Sequence, residues 1–422
     1  MFENTKGGAG TDFVMGFSHL GKRAADLSRV RELLECLGNP QDKLKFIHIA
    51  GTNGKGSTAQ MLNEICIQSG FKTGLFTSPY LIEYSDRIRV NNKNIPYERL
   101  DKLALRVKAQ VEKSAYREDF SQFEITTAIA FLYFLEEKCD IVVLETGLGG
   151  LLDSTNAVKT SVLSVICSVD FDHTAVLGNT IEEIAYQKAG IIKPGVPCVL
   201  SAGNAPETVR IVSQTAEENH SELIIPDISL VKLKRCDAFG SEFEYKGENY
   251  QLSMGGKHQV FNALSVIEGC KLLPFEISCE TIKNGLKNAS VIGRAEVIST
   301  KPLTILDGAH NPDGLSALAE VLKSCKKSPC KAVIGMCADK NIAEGVSKLI
   351  PYVDEFIAVD EFYGRAADKQ RLAEIIRENG GNAAASQMTI MEEIKKIQQE
   401  NPDGINLICG SLFLVSHVKT SV

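Results

Sequence analysis

Short apolar runs alternate with segments of helical periodicity along most of the chain. Phe46–Ala50 is a predicted strand, and three continuous runs are typical of strands buried on both faces, as in a parallel sheet: Ile141–Leu144, Ser161–Val169 and Gly195–Ser201. A segment with helical spacing, Ser57–Ser69, follows closely on Phe46–Ala50. This alternation of strand and helix predicts an α/β fold around a mostly parallel sheet.

The pattern changes after residue 226. Phe243–Leu252 predicts a hairpin that turns at Lys246–Gly247, as part of a small antiparallel insertion. A helix is predicted again over His258–Leu273. A second α/β block follows from Lys301, and its predicted strands are Leu303–Leu306, Lys331–Met336, Glu355–Val359 and Ile405–Ile408.

Two domains are expected for a chain of 422 residues. We place them at residues 1–296 and 297–422. The connection between Ile292 and Lys301 is the predicted hinge, and we expect it to let the second domain close over the site and exclude water.

Composition narrows the class of protein. Apolar residues make up 44% and charged residues 23% of the chain, and the net charge is −7, which argues against nucleic acid or an anionic membrane as the main partner. No run approaches the roughly 20 apolar residues that a membrane span needs, and the N-terminus lacks the apolar stretch of a signal peptide. We therefore expect a cytoplasmic protein whose cysteines are reduced thiols; only Cys325 and Cys330 lie close together, too few for a zinc site.

The first predicted strand leads into Gly51–Thr58, with the sequence GTNGKGST, and then into a helix. Its glycines let the backbone wrap closely around phosphate groups, whose charge is favoured at a helix N-terminus. Lys55 can reach the terminal phosphates, and Ser57 or Thr58 can support a phosphate or Mg²⁺. The match to the common motif is imperfect because Gly56 separates the lysine from the serine. We interpret the segment as a phosphate-binding loop rather than a glycine-rich turn with a chance lysine.

Polar side chains follow two further strands. Glu145 ends the run Ile141–Leu144, and His173 lies just beyond Ser161–Val169. Ligands bind outside the carboxyl ends of strands in open α/β sheets. Glu145 is therefore a candidate for holding the Mg²⁺ that bridges the phosphates, with His173 as a second ligand. A lone glutamate is more often a helix cap or an ion-pair partner, and a lone histidine a solvated loop residue.

The segment Asp307–Pro312 follows the first strand of the second block in the same way. Its glycine and proline explain a turn, and Asp307 could simply cap the next helix. Alternatively, Asp307 and His310 close over a nucleotide, and Arg294 crosses from the hinge to its phosphates.

Together these segments resemble one family, the folylpolyglutamate synthase and dihydrofolate synthase enzymes of the Mur ligase superfamily. The resemblance covers nearly the whole chain. Beyond the loop it is carried, in order, by Leu34–Gln41, Leu75–Pro79, Phe123–Ala128, Glu145–Gly150, Asp172–Thr174, Lys188–Lys193, His258–Gln259, Asn262–Ala263, Gly293–Arg294, Leu306–Pro312 and Gly410–Leu412. It implies a P-loop-type sheet domain with the small antiparallel insertion, followed by a smaller Rossmann-like α/β domain.

The resemblance also implies a role for individual residues. ATP should be bound by Thr52, Asn53, Gly54, Lys55, Gly56, Ser57, Thr58, Asn262, Arg294, Asp307 and His310. Two Mg²⁺ ions should be held by Ser78, Glu145 and His173, and Lys188 should be carbamylated to place a carboxylate near them. Lys55, Lys188 and His173 are the expected catalytic residues, and Phe123, Glu124, Thr126 and Asp153 border the pterin side of the substrate.

The implied activity is ATP-dependent addition of L-glutamate to a reduced folate, or to dihydropteroate, by a monomer. A carboxylate is a poor electrophile, so ATP would first convert it into an acyl phosphate that the glutamate amine attacks. Cations and loop amides can stabilise the negative charge that both steps concentrate.

The sequence departs from the family pattern at three places. Leu151 stands where arginine usually follows the paired glycines, Gln187 replaces a common glutamate before the carbamylated lysine, and Phe17–Arg23 is not the commonest form. The first and third concern the substrate side, while the nucleotide motifs are intact.

Two alternatives remain open. A peptidoglycan-precursor Mur ligase would carry a nucleotide-sugar-binding domain before the loop, where residues 1–50 are too few. A P-loop ATPase serving as a regulatory module would leave Ser78 and His173 unexplained.

Overall fold

A computed structural model describes residues 7–18, 26–325 and 329–421. Most of the segment Phe17–Arg23 therefore lies outside the described residues. Within them the strands are β1 Phe46–Ala50, β2 Thr73–Phe76, β3 Ile88–Val90, β4 Lys93–Asn94, β5 Ile141–Glu145, β6 Ser161–Ile166, β7 Cys198–Leu200, β8 Leu223–Ile224, β9 Val231–Asp237, β10 Gly240–Tyr245, β11 Glu248–Leu252, β12 Glu296–Thr300, β13 Leu303–Leu306, β14 Cys330–Ile334, β15 Glu355–Ala358, β16 Ala383–Ala385 and β17 Ile405–Cys409.

The helices surround these strands. They are α1 Ala9–Met15, α2 Ser28–Cys36, α3 Lys55–Gln68, α4 Tyr97–Val111, α5 Gln122–Glu136, α6 Thr174–Leu177, α7 Ile181–Ala189, α8 Pro206–Glu218, α9 Lys257–Leu272, α10 Cys279–Asn288, α11 Pro312–Ser324, α12 Ile342–Leu349, α13 Lys369–Glu378, α14 Ile390–Glu400 and α15 Leu412–Thr420. No helix in the described ranges combines the length and the apolar character that crossing a bilayer requires.

The described residues form two compact units that interleave in the sequence. The larger unit contains residues up to 228 and residues 261–286, and the smaller contains residues 229–260 and 287–421. The predicted antiparallel insertion forms part of the smaller unit, where Ala238 packs in the same core as Leu315 and Ile305. The division at 296/297 into functional domains stays a prediction.

The larger unit is built on an eight-stranded sheet in the order β4-β3-β2-β5-β1-β6-β7-β8. Strands β2, β5, β1, β6, β7 and β8 pair in parallel, and β3 and β4 add an antiparallel edge. All residues of β1 and β5 are buried, as expected of central strands covered by helices on both faces. The predicted mostly parallel α/β fold is confirmed.

The smaller unit has a six-stranded sheet in the order β12-β13-β17-β14-β15-β16 and an antiparallel three-stranded sheet, β11-β10-β9. The hairpin prediction is confirmed, since β10 and β11 pair through Tyr245 and Glu248 around Lys246–Gly247. The predicted hinge segment is only partly a connection. Glu296–Thr300 forms β12, which pairs antiparallel with β13, because its β-branched residues Val297, Ile298 and Thr300 favour an extended strand.

A buried ion pair joins α2 to α5 in the larger unit. Arg29 donates from Nε and Nη2 to the two carboxylate oxygens of Glu124, both at 2.8 Å. The side chains are 9% and 10% exposed. Glu124 also completes a capping box with Ser121 at the start of α5. Such a pair positions two elements, and loss of one partner leaves an uncompensated buried charge.

We predict that Arg29→Ala lowers the free energy of unfolding of the larger unit by about 3–5 kcal/mol, because the Glu124 carboxylate loses its buried partner. The matched control is Arg106→Ala, whose pair with Glu136 is exposed and should contribute no more than about 1 kcal/mol. Urea unfolding followed by circular dichroism measures both. Equal shifts for the two variants would contradict the prediction.

Candidate active site

Four neighbouring parallel strands end at one edge of the larger sheet. Ser78 follows β2, Glu145 ends β5, the loop at 51–54 follows β1, and residues 167–173 follow β6. Because Ile49 pairs with both Glu145 and Val165, these strands finish at the same level. The polar residues that the sequence predicts for catalysis therefore meet at one edge of the sheet.

The loop is fixed by contacts with the segment after β6. Thr52 donates from its backbone N to Ser168 O at 2.6 Å and from Oγ1 to Asp170 O at 2.9 Å. Gly54 precedes α3 with φ +88°, a conformation that favours glycine. A Cβ on Gly54 would lie 2.5 Å from Oδ1 of Asn262, so this predicted nucleotide-binding residue packs directly on the loop.

The first turn of α3 provides an anion site. Lys55, Gly56 and Ser57 are its first residues, so their N–H groups have no partner within the helix. Ser57 and Thr58 are buried. The Lys55 ammonium donates to Gly51 O at 2.9 Å and Thr52 O at 3.1 Å, which keeps its charge over the loop. This arrangement suits the phosphates of a nucleotide.

Glu145 and Ser78, two predicted metal ligands, are adjacent. Ser78 N donates to Glu145 Oε2 at 3.1 Å, and a Cβ on Gly56 would lie 3.9 Å from both carboxylate oxygens. The carboxylate is thus buried beside the first turn of α3, where phosphates would be bound. Hard oxygen donors next to a phosphate site are the ligands that Mg²⁺ prefers. The charge of Glu145 also raises the pKa of Arg89, in opposition to a larger lowering by burial.

His173, the third predicted ligand, lies on the loop after β6. Its φ is +50°, it precedes α6, and its Nε2 is 3.9 Å from Oδ1 of Asp172. Within residues 7–18, 26–325 and 329–421, no three His, Cys, Asp or Glu side chains form a metal-binding cluster. The structure therefore places His173 at the same edge of the sheet as Ser78 and Glu145, and its role as a metal ligand stays a prediction.

Lys188 is the most perturbed cation of the site. Its side chain is buried near the end of α7, and burial lowers its pKa to about 7. The charge of Lys55 contributes to this lowering of the pKa, whereas Asp172 and Cys167 oppose it. An amine with this pKa is largely neutral, and hence nucleophilic, slightly above neutral pH.

Sequence reasoning missed two neighbours of this lysine, Asp172 and Cys167. The pKa of the Cys167 thiol is raised to about 11, first by burial, and Lys55, Glu145 and Lys188 all act on it electrostatically. It therefore lies among the charged groups of the site. The position of Asp172 beside His173, after a buried strand, was the available signal; a cysteine inside an apolar run gives none.

Three of the residues predicted on the substrate side cluster around α5. The ring of Phe123 packs against Gly147, where a Cβ would lie 2.6 Å from its Cζ. Thr126 is buried and donates to Gln122 O at 2.6 Å. The Glu124 carboxylate is engaged by Arg29. Phe123 thus borders the loop that follows β5, whereas Glu124 and Thr126 make internal contacts.

The fourth residue on that side, Asp153, is buried within its own loop. Its Oδ2 accepts from Leu148 N at 2.8 Å, and its Oδ1 accepts from Thr155 N at 3.0 Å and Thr155 Oγ1 at 2.6 Å. Burial raises the pKa of Asp153, although these hydrogen bonds oppose the shift.

The smaller unit brings its three predicted nucleotide ligands together. Asp307 is buried after β13 and accepts from Ala295 N at 2.6 Å and Ala309 N at 2.7 Å. Burial raises its pKa, and the positive charge of Arg294 acts in the opposite direction. His310 Nδ1 lies 2.9 Å from Gly308 O, two residues earlier. Asp307 therefore shapes the turn that holds Arg294 and His310.

Family comparisons agree with this geometry. The sequence matches the Mur ligase middle domain over residues 49–269 and the Mur ligase glutamate ligase domain over residues 293–412. It is 35% identical over 410 residues to a dihydrofolate synthase/folylpolyglutamate synthase of Bacillus subtilis, covering 93% of this chain and 94% of the relative.

The chain is a Mur ligase of the folylpolyglutamate synthase/dihydrofolate synthase family. Among solved structures, a folylpolyglutamate synthase from Thermotoga maritima is 33% identical with a TM-score of 0.82, covering 97% of this chain and 94% of that one. E. coli FolC in complex with DHPP and ADP is 27% identical with a TM-score of 0.86, covering 99% of each chain.

Two departures of this Mur ligase from the family pattern meet in the structure. Leu151 N donates to Gln187 O at 2.6 Å, and a Cβ on Gly150 would lie 2.6 Å from the same oxygen. The loop after β5 thus packs on the end of α7, one residue before Lys188.

We predict that Gly54→Ala weakens ATP binding at least about tenfold, because the new methyl group displaces Asn262 and distorts the anion site. The matched control is Gly70→Ala, since Gly70 has φ +87° with open space around it. Both variants carry the same backbone strain, about 1–2 kcal/mol, so only contact with Asn262 and the loop distinguishes them. Calorimetric titration with ATP measures the effect, and equal affinities for the two variants would refute it.

Proposed function

We propose that this chain is an ATP-dependent ligase that joins L-glutamate to a reduced folate, and also to dihydropteroate. The observation that carries the proposal is the meeting of the glycine-rich loop at the start of α3 with Glu145 and Ser78 at one sheet edge, and with the buried Lys188 close to Lys55. The names of the relatives support a folate as acceptor, and the E. coli structure with DHPP and ADP supports a folate precursor and a nucleotide as ligands.

The reaction proceeds in two displacements. An oxygen of the substrate carboxylate attacks the γ-phosphorus of ATP, the bond to ADP breaks, and an acyl phosphate forms. The glutamate amine then attacks the acyl carbon, loses a proton, and phosphate leaves. The amides of the first turn of α3 and the Lys55 ammonium stabilise the charge that develops on the phosphoryl group. Asn262 packs against the loop at Gly54, directly before these amides.

We assign the residues around this loop by their chemistry. Thr52, Asn53, Gly54, Lys55, Gly56, Ser57 and Thr58 bind the phosphates, and Arg294, Asp307 and His310 of the smaller unit contribute to nucleotide binding. Ser78, Glu145 and His173 would hold Mg²⁺, with two ions required. Mg²⁺ would supply charge neutralisation at the phosphates. Phe123, Glu124, Thr126 and Asp153 stay assigned to the substrate side.

Lys188 suits carbamylation. Its neutral amine would attack CO₂, forming an N–C bond and releasing a proton, so that a neutral buried amine becomes an anionic carbamate. The Lys55 charge, which now lowers the pKa of Lys188, would then attract the carbamate. The new carboxylate would lie near Lys55 and Asp172, where it can help to hold a cation.

We predict that ADP forms over many turnovers only when a folate and L-glutamate are both present with ATP and Mg²⁺, because the acyl phosphate needs a carboxylate to form and an amine to be consumed. Mass spectrometry of the product should show one added glutamyl residue. Parallel assays with dihydropteroate and with tetrahydrofolate compare the two acceptors. ADP formation with neither substrate would favour a regulatory ATPase, and turnover with a peptidoglycan precursor would favour the other Mur branch.

We predict that Lys188→Ala lowers kcat at least about 100-fold, because the charge that organises the site is lost. In ¹³C-bicarbonate, the ¹³C NMR spectrum of the parent should show a carbamate resonance that the spectrum of Lys188→Ala lacks. The control Lys159→Ala removes an exposed lysine and should keep both the parent's kcat and its carbamate resonance.

The same hypothesis predicts a pH dependence. With a pKa of about 7, Lys188 is protonated and unreactive at lower pH, so reactivation after CO₂ removal should accelerate as pH rises from 6 to 8. A parent without the resonance but with full ligase activity would refute carbamylation and leave the ligase assignment intact.

A further inference from the structure

His48 is the single polar side chain of β1, and its position in the sheet is unusual. All five residues of the strand are buried, and His48 is fully buried between Leu144 of β5 and Ser164 of β6. A central strand of this kind ordinarily carries only apolar residues. The loop that binds phosphate begins three residues later, at Gly51.

A directed chain of hydrogen bonds leads from His48 to the loop after β5. His48 Nε2 lies 2.9 Å from Thr155 Oγ1, and Thr155 Oγ1 donates to Asp153 Oδ1 at 2.6 Å. An ionised carboxylate only accepts, so the hydroxyl proton points to Asp153. His48 Nε2 must then donate to Thr155, which fixes the neutral ring in its Nε2–H form.

Two observations agree with that assignment. Burial lowers the pKa of His48 to about 3, with a smaller contribution from the charge of Lys193, so the ring is neutral at physiological pH. Its Nδ1 has no hydrogen-bond partner among the described residues. A buried ring nitrogen without a partner lowers the stability of the fold. The bond from Nε2 to Thr155 is therefore the contact that accounts for a histidine at this position.

This chain of hydrogen bonds ends on the loop after β5, which borders several groups of the site. Asp153 accepts from Leu148 N, just after Gly147, which packs on Phe123. Further along, Leu151 N donates to Gln187 O, beside Lys188. The loop 147–153 therefore connects the end of β5, at Glu145, with the residues on the substrate side and with α7.

We propose that His48 and Thr155 are positioning residues that hold loop 147–153, through Asp153, in the shape that binds the folate substrate. This inference rests on the proposed function, since it takes the loop to border the folate. Asp153 anchors the loop through both of its carboxylate oxygens, which accept from Leu148 and Thr155.

The test compares variants that break this chain of hydrogen bonds with variants that keep it. Thr155→Val removes the hydroxyl and Thr155→Ser retains it; His48→Leu removes the donor and His48→Gln keeps an N–H at a similar distance from the backbone. We expect Thr155→Val and His48→Leu to raise KM for the folate about tenfold with KM for ATP within about twofold of the parent. Thr155→Ser and His48→Gln should restore most of the folate affinity.

A matched control is Thr208→Val, the same change at a hydroxyl of α8 that is buried elsewhere in the larger unit. It should leave both KM values unchanged. The double variant His48→Leu/Thr155→Val should be no worse than Thr155→Val alone, because without the hydroxyl His48 has nothing to hold.

Hydrogen–deuterium exchange of the full chain gives a readout that does not need activity. Amides of 147–148 should exchange faster in Thr155→Val and His48→Leu than in the parent, while β1 amides stay protected. Unchanged exchange and unchanged folate KM in these variants would overturn the proposal, as would equal rises in both KM values. If the parent does not use a folate, the proposed function fails. The hydrogen–deuterium exchange result then still decides whether the hydrogen bonds from His48 through Thr155 to Asp153 hold loop 147–153.

Discussion

The parallel pairing of β1 with β5 and β6 is the constraint on which the site depends. Each strand delivers its chain to the same edge of the sheet, since Ile49 is level with Glu145 and Ala50 with Ile166. Segments that are distant in sequence therefore meet: the loop at 51–54, Ser78, Glu145 and the stretch after β6. Because the strands are buried on both faces, their register is fixed by packing as well as by hydrogen bonds. A shift of one residue in β5 would turn Glu145 away from the loop.

Burial at this edge makes the charges interdependent. Lys188 and Lys55 are both amines of one site, and the charge of Lys55 lowers the pKa of Lys188 in addition to the larger effect of desolvation. Positive charge in such a site favours ligands of negative charge, such as phosphate, carboxylate or carbamate. A nucleotide and a modified lysine would each supply negative charge that balances the positive charge of the site. The same physical arrangement suits a reaction whose two steps both concentrate negative charge.

Both units use a buried aspartate to shape a loop after a strand. Asp153 accepts backbone and hydroxyl hydrogen bonds from residues 148 and 155, and Asp307 accepts from the amides of Ala295 and Ala309. In each case burial raises the pKa of the carboxyl group, in opposition to these hydrogen bonds. The sequence predicts that both residues belong to ligand sites. Their hydrogen bonds show in addition that each anchors the loop on which it lies.

The sequence by itself determined the α/β class, most strand positions and the phosphate-binding loop, because apolar periodicity and glycine-rich turns are local properties of the chain. It also placed Glu145 and His173 after strands. Only the tertiary structure decided that the three-stranded antiparallel sheet groups with the later residues, that Glu296–Thr300 is an edge strand, and that Glu124 is engaged by Arg29. It alone brought Cys167 and Asp172 to Lys188, and His48 to Thr155. These facts depend on contacts between residues far apart in sequence, and no local pattern encodes which distant partner a buried polar group will find.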